Sequence, residues 1–330
     1  MMDNTNGINN QQLAILETLS TQSKTIGQIA RDVGMSDGRT SQLVKRLQED
    51  GFLHKRRSGT SKRTSFSDRL FAEYLRGVIL RNGIDLSDMF RYPYFDILLT
   101  LKDRELDKES LADGTDASLY QVKKYVLQLE RKGILRTSDG KVKISRTLPE
   151  LNRFLKAYSS YSNLKRLRGM TSKGAMVWEN GLEFIFFAPI DEGISGAEPT
   201  GISAMSRYGI DIISDRVYYH YFKNGKELRV EDIAIDAILA ANLQPRGILY
   251  TLLFLRKIEN FDREYLISRG VEIGHEKIAR DLVNFLRGGD PKSRGFPSRG
   301  EFAQICARYG VNPSNEDSSL QMTSSRNSSE

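Results

Sequence analysis

Three groups of residues in this sequence have the types and spacing to do chemistry. The first is acidic: Glu231, Asp232 and Asp236 lie close together, and Asp232 and Asp236 stand one helical turn apart, where a helix turns both to one face. Carboxylates so placed, or the looser pair Asp211 and Asp215, are what nucleotidyl transfer requires to hold two metal ions. Charges capping the start of a helix account for Asp232 and Asp236 more simply. The second group is His220 in the run Tyr218-Tyr219-His220-Tyr221-Phe222, which reads as a core or edge residue of an aromatic strand. Those rings could stack nucleic-acid bases, but a half-buried strand is the preferred account. No phosphate-binding loop, dinucleotide-binding glycine motif, paired-histidine zinc motif or nucleophile elbow occurs. The single cysteine, Cys306, excludes an intramolecular disulfide and a thiolate zinc site, and His54, His220 and His275 are scattered. Neither a metal nor a cofactor is expected, and the chain reads as a binding protein rather than an enzyme.

The third group is cationic. Lys55, Arg56, Arg57, Lys62 and Arg63 flank the turn Ser58-Gly59-Thr60-Ser61. Cations on a turn suit phosphates, whose counterions they displace. The net charge of +7 agrees in sign but is unevenly spread. Residues 1–175 carry 31 Lys and Arg against 20 Asp and Glu, net +11, whereas residues 176–330 carry 18 against 22, net −4. A polyanion is therefore the partner expected of the first half, and the second half has a different task. Hydrophobic residues at 39% and charged residues at 28% exclude wholesale disorder. The weakly charged run 237–255 is broken by Pro245 and Arg246, so no membrane span is expected. Residues 1–12 are polar and Asn-rich with no apolar leader core, and a cytoplasmic location follows as the expectation.

Such a turn needs a scaffold. Residues 11–19 are apolar at helical spacing, Thr25 can cap a second helix over 26–33, and Gly34 breaks it. Ser36 is placed to cap a third helix running to Asp50, in which Thr40, Leu43, Val44 and Leu47 form one stripe. Gly51-Phe52-Leu53 ends that helix and opens a strand, and Thr64-Ser65-Phe66 returns. Three short helices and a basic hairpin are the plan of a winged helix-turn-helix. The third helix starts with small residues, so its N-terminal end can enter a DNA major groove about 12 Å wide. The wing suits phosphates or the minor groove. The DNA-contacting set expected here is Ser36 as the cap, Arg39, Thr40, Gln42, Lys45 and Arg46 facing the groove, and Lys55, Arg56, Arg57, Lys62 and Arg63 on phosphates. Thr40 is counted both in the stripe and in the groove face.

The pattern recurs at a constant offset. Leu13, Leu16 and Leu19 map onto Phe95, Leu98 and Leu101, Ser36 maps onto Ser118, Leu47 onto Leu129, and Gly51 onto Gly133, all 82 positions on. The second third-helix covers 117–132, with Leu119, Val122, Val126 and Leu129 inward and Tyr120, Gln121, Lys123, Lys124 and Gln128 outward. Asp139-Gly140 marks a tight hairpin. Gln121, Lys123, Lys124 and Lys141 join the DNA-contacting candidates. The first unit, with the longer and more basic wing, is expected to dominate; the second either binds DNA too or serves packing and dimerisation. Between them, 70–80 is an amphipathic helix (Leu70, Phe71, Tyr74, Leu75, Val78, Ile79) read as a strut.

The step Ile26-Gly27-Gln28-Ile29-Ala30, followed by Ser36 to Gly51, resembles winged-helix transcriptional regulators of bacteria and archaea of the MarR-like and ArsR-like kind. The resemblance implies the fold and a DNA-binding regulator. It does not extend to metal sensing, since no cysteine cluster is present.

Beyond a helix from Leu148 to Ala157, the stretch Tyr158-Ser159-Ser160-Tyr161-Ser162 and the cations Lys165, Arg166, Arg168 and Lys173 read as a basic connector. Two strands about Asn180-Gly181, a short helix closing at Tyr208-Gly209 and a strand over 217–222 turning at Asn224-Gly225 come next. Helices over 230–241, 246–258, 262–270, 275–286 and 298–309 complete the chain. Thr200-Gly201-Ile202-Ser203-Ala204-Met205, Tyr208-Gly209 and Val230-Glu231-Asp232-Ile233-Ala234 resemble the C-terminal region of AbiEi-type antitoxins. That resemblance implies autorepression of an operon and neutralisation of a nucleotidyltransferase toxin, although two winged-helix units depart from the antitoxin pattern.

The expected fold is mainly α with small β (α+β): two tandem winged helix-turn-helix units followed by an α+β C-terminal domain. Its boundaries fall at 1–10 (disordered), 11–69 (first unit), 70–91 (linking helix), 92–147 (second unit), 148–175 (helix and basic linker), 176–310 (interaction domain) and 311–330 (disordered). The leading function is a sequence-specific DNA-binding transcriptional regulator. Alternatives are an antitoxin, a plasmid replication initiator, which also pairs winged helices, and an RNA-binding protein. The partners expected are double-stranded DNA, a protein bound through 176–310, and a second copy in a homodimer, since duplex sites are often palindromic.

Overall fold

The computed structural model describes residues 7–58, 61–81, 85–87, 89–115, 117–222, 227–241 and 245–313. The chain divides into two compact units, one of Met1–Lys165 with Asn180–Leu182 and one of Arg166–Glu179 with Glu183–Glu330. Among the described residues no helix is long and apolar enough to cross a membrane.

The first unit opens with α1 (Asn10–Leu19), α2 (Ile26–Val33) and α3 (Asp37–Glu49), followed by the antiparallel strands β1 (Leu53–Ser58) and β2 (Ser61–Phe66). Short helices need their free backbone N–H groups satisfied, and this sequence does so at each start. Asn9 and Thr25 form capping boxes with Gln12 and Gln28, and Ser36 accepts from the Arg39 backbone N–H. Ile15, Leu16, Ile29, Leu43, Val44 and Leu47 are fully enclosed, and Leu53 and Phe66 root the hairpin in the same core. Residues 7–10 are ordered, against the expectation of a disordered N-terminus to 10, because Ile8 is buried in that core and Asn9 caps α1. The remainder of that segment, 1–6, lies outside the described residues.

After α4 (Leu70–Leu80) the order of elements repeats in α5 (Tyr94–Thr100), α6 (Lys108–Asp113), α7 (Leu119–Arg131), β3 (Leu135–Ser138) and β4 (Lys141–Ile144). α7 starts and ends 82 residues after α3, at 119 against 37 and 131 against 49. Leu53 faces Phe66 in the first hairpin and Leu135 faces Ile144 in the second. The offset is thus 82 on the first strand (135 against 53) but 78 on the second (144 against 66), which makes the second hairpin four residues shorter. Asp139 and Gly140 both take positive φ, 53° and 75°, as a two-residue hairpin turn requires. Both repeats, with Phe71 and Leu75 of α4, share one continuous core. Leu70, expected on the inward face of α4, is instead 64% exposed, since the helix begins there and its first side chain overhangs the core.

The basic connector is helix as far as Met170, and only its last cation, Lys173, lies beyond the helix end. α8 runs unbroken from Pro149 to Met170. Its Tyr and Ser residues have modest helix propensity, but tertiary contacts override it. Tyr158 is buried and stacks on Phe52, Tyr161 stacks on Phe71, and the buried Ser159 accepts from Lys102 Nζ at 2.8 Å.

The second unit contains β5 (Ala175–Asn180), β6 (Glu183–Pro189), β7 (Glu198–Pro199), α9 (Gly201–Ala204) with a following 3-10 turn (Met205–Tyr208), and β8 (Arg216–Tyr221). The sheet order is β5-β6-β8-β7, and β6 pairs antiparallel with β8, Phe186 opposite Tyr219. One face of this sheet carries Phe184, Phe186, Ala188, Tyr219 and Tyr221, which cluster with Leu167. Five helices follow: α10 (Val230–Ala240), α11 (Pro245–Ile258), α12 (Arg263–Glu272), α13 (Glu276–Leu286) and α14 (Arg299–Arg308), packed about Ile235, Leu253, Phe254 and Leu282. The expected turn at Asn224-Gly225 and the tail 314–330 lie outside the described residues. Val311, expected to begin a disordered tail, packs against the helical core and donates its backbone N–H to Cys306 O at 2.9 Å.

Candidate nucleic-acid interface

α3 divides cleanly into two faces. Thr40, Leu43, Val44 and Leu47 recur at helical spacing and are all buried. Thr40 therefore does not face a groove: its side chain has no exposed surface, and its hydroxyl has no hydrogen-bond partner among the described residues. The outer face presents Arg39, Gln42, Lys45 and Arg46 to solvent, with Ser36 capping the helix at 3.4 Å from the Arg39 backbone nitrogen. Gly38 and Ser41 are also exposed on this face, and sequence reasoning passed over them. The helical spacing 38, 41, 42, 45 is the signal that could have found them. Lys45 lies 3.8 Å from Glu49, and Arg39 donates to Gln11 Oε1 at 2.9 Å. Such exposed contacts contribute little and exchange readily for a phosphate.

The hairpin places its cations in opposed pairs. Arg56 stands opposite Arg63, and Arg57 stands opposite Lys62. Side chains alternate between faces along a strand, so each face of the wing holds one such pair. Like charges directly opposite repel, at roughly 0.2–1 kcal/mol per pair. Arg56 finds partial relief in Asp68 at 2.6 Å, and Arg63 donates to Ser23 O at 3.0 Å. Among the described residues Arg57 and Lys62 have no ion-pair partner. Lys55, also exposed, sits opposite the buried Thr64. Thr64 in turn exchanges backbone hydrogen bonds with Lys24 at 2.8 and 3.0 Å, which ties the wing to the segment between α1 and α2. The turn residues Gly59 and Thr60 lie outside the described residues.

In the second repeat Lys123, Lys124 and Lys141 are exposed. Gln121 is not free to read a base through its carbonyl, because Oε1 accepts from the Ser118 backbone N–H at 2.9 Å in a capping box. Gln128, expected to point outward, is half-buried and accepts from the Tyr94 hydroxyl.

The acidic and histidine candidates meet inside the second unit. Asp232 caps α10 as expected, accepting from the Arg229 backbone N–H at 3.0 Å, and it also takes the Tyr265 hydroxyl at 3.1 Å. Asp236, one turn deeper, is no cap: it is fully buried, accepts from Thr200 Oγ1 at 2.6 Å, and lies 2.6 Å from His220 Nδ1. His220 Nε2 lies 2.8 Å from Glu183, which also binds Arg269. Arg269 reaches Asp232 at 3.2 Å and Glu272 at 2.5 Å. Burial alone would lower the His220 pKa, but the carboxylates of Asp236 and Glu183 outweigh it and push it up to about 9. Burial pulls Glu183 upward, but Arg269 and His220 overcome this and bring it down to about 2. At neutral pH the ring is an imidazolium with both N–H groups committed to carboxylates, which suits a clamp between β6, β8 and α10 rather than a base. Glu183 and Arg269 were missed by sequence reasoning, and no spacing rule connects positions 183, 220, 236 and 269. Among the described residues no group of three His, Cys, Asp or Glu is arranged to hold a metal ion.

Residues 6–64 match the family model of the MarR family, which spans α1 through most of β2 and under a fifth of the chain. No curated protein matches the chain. The match, on a segment folded as a winged helix-turn-helix, supports a DNA-binding transcriptional regulator as the general class.

Proposed function

We propose that the chain is a sequence-specific transcriptional regulator that lays α3 in the major groove of duplex DNA and its β1–β2 wing on the flanking phosphates. The observation that carries this reading is the opposition of Arg56 to Arg63 and of Arg57 to Lys62 across the wing. Four cations held face to face destabilise the free hairpin, and phosphates placed among them turn that cost into affinity. The MarR family match over the same segment supports the regulator class. On α3 the small exposed residues Gly38 and Ser41 let the helix backbone approach base edges, with Arg39, Gln42, Lys45 and Arg46 beside them as donors. The chain acts by binding, and no reaction is assigned to it. The second unit, drawn from the net acidic half of the sequence, joins a protein partner in this reading.

The test is titration of a fluorescent duplex, recovered by selection from a randomised library, at several salt concentrations. The double variant Arg56→Ala/Arg57→Ala should weaken binding to all sequences. It should also make the slope of log K against log salt shallower by about 0.9 for each phosphate that the wing ceases to neutralise. An unchanged slope removes the wing from the interface.

A further inference from the structure

α7 carries a surface that a packing module does not need. Tyr120, Lys123, Lys124, Leu127 and Arg131 recur at helical spacing on its outer face, and all are exposed, Tyr120 by 78% and Leu127 by 48%. None of these five positions is acidic. Among the described residues Lys123, Lys124 and Arg131 form no ion pair, whereas other cations of the first unit do: Lys132 with Asp85 at 2.7 Å, Lys143 with Glu105 at 2.7 Å, and Lys156 with Asp103 at 3.4 Å. Shifted back by 82, the same five positions on α3 are Gly38, Ser41, Gln42, Lys45 and Glu49, where the only cation is joined to the only acid. Over its whole length α3 exposes three cations, Arg39, Lys45 and Arg46, as many as α7, but it also exposes Asp37 and Glu49, whereas no acidic residue of α7 is exposed.

We infer that α7 is a second duplex-DNA-contacting helix, so that a single chain engages an asymmetric site. The occupant is argued from charge and from the repeat. Protein interfaces are depleted in lysine at their centres, whereas an aromatic and a leucine among unpaired cations suit a groove, where the cations meet phosphates and the apolar side chains meet sugars and thymine methyl groups. α3 and α7 belong to one compact unit with one core, so their spacing is fixed by packing rather than by a dimer interface. A symmetric dimer reads two like half-sites with two copies of one helix. Here each of these five outward positions differs between α3 and α7, and the two parts of the site must differ in sequence.

This inference rests on the proposed role of α3 and its wing, and one experiment separates the two. Full-length chain, its Arg56→Ala/Arg57→Ala variant and its Lys123→Ala/Lys124→Ala/Arg131→Ala variant are titrated against the selected duplex at several salt concentrations and footprinted on it. All substituted residues are exposed, and a melting temperature no lower than the parent's confirms folding. The expected result is one chain per site, a salt slope shallower by about 2–3 in the α7 variant, and loss of protection from one end of the footprint only. If the wing variant lowers the slope while the α7 variant changes neither slope nor footprint, the inference is overturned and the regulator reading stands. The inference is equally overturned if the α7 variant alters only the oligomeric state in sedimentation, which would make the face a protein contact. If neither variant changes the slope, both readings fall together.

Discussion

Asp236 and His220 meet inside the second unit through a 2.6 Å contact between Oδ2 and Nδ1, and neither side chain has any exposed surface. With Glu183 on the other ring nitrogen, the imidazolium is worth more to the fold than neutral imidazole. Its folded pKa of about 9 stands above the ordinary 6.5, so its contribution is complete below pH 6.5, declines above that, and is gone once pH passes about 9. The amount at stake is on the order of 3 kcal/mol at 1.36 kcal/mol per unit. Glu183 acts at the other end: its contribution is present above pH 4.5 and is lost as pH falls toward 2. The chain's single tryptophan, Trp178, lies beside Arg269 and reports on this unit. Urea melts followed by its fluorescence should show stability falling from pH 6.5 to 9, and His220→Phe should abolish that slope.

Thr40→Val is expected to leave DNA binding unchanged and to hold or raise the melting temperature. The hydroxyl it removes is buried with no hydrogen-bond partner among the described residues, a situation that costs roughly 1–3 kcal/mol, and valine keeps the shape. Weaker binding with an unchanged melting temperature would place Thr40 back at the groove. By contrast, Leu47→Ala in the same stripe should destabilise the first unit by about 2–5 kcal/mol.

Arg57→Thr should separate stability from affinity. Removing one member of the Arg57 and Lys62 pair relieves roughly 0.2–1 kcal/mol of repulsion in the free protein. The same change removes the proposed phosphate contact and should weaken duplex binding most at low salt. Paired thermal melts and titrations show the opposite signs directly; a fall in both stability and affinity would mean the pair is not repelling in the free state.

Gly201→Ala should destabilise the second unit by roughly 1–3 kcal/mol. Gly201 has φ of 56°, and an added Cβ would come within 3.2 Å of the Ala237 backbone, next to the Thr200 to Asp236 bond. Trp178 fluorescence in urea measures the loss, and a melt equal to the parent would show that α9 and α10 can part without cost.

Much of the first unit was legible because its signals are local. Caps at Thr25, Ser36 and Ser118, the stripe of Leu43, Val44 and Leu47, and the 82-residue echo in α7 are all properties of neighbouring positions, and the elements formed where those residues dictate. Thr40 went astray because a threonine on a stripe can be read as polar or as apolar, and only burial decides. Tyr158 and Ser159 read as linker because the partners that hold them in a helix, Phe52 and Lys102, lie far away in sequence. The ionic cluster was illegible for the same reason: Glu183, His220, Asp236 and Arg269 come from four elements and are joined only by folding.

The four residues missing from the second hairpin set a length scale. Two fewer residues on each arm, at about 3.4 Å apiece, shorten its reach by about 7 Å, or about two base-pair steps along a duplex axis. Two arms of unequal length in one compact unit act as a ruler with a long and a short end, so, if both proposed contacts form, insertions of one or two base pairs within a bound site should be tolerated unequally on its two sides.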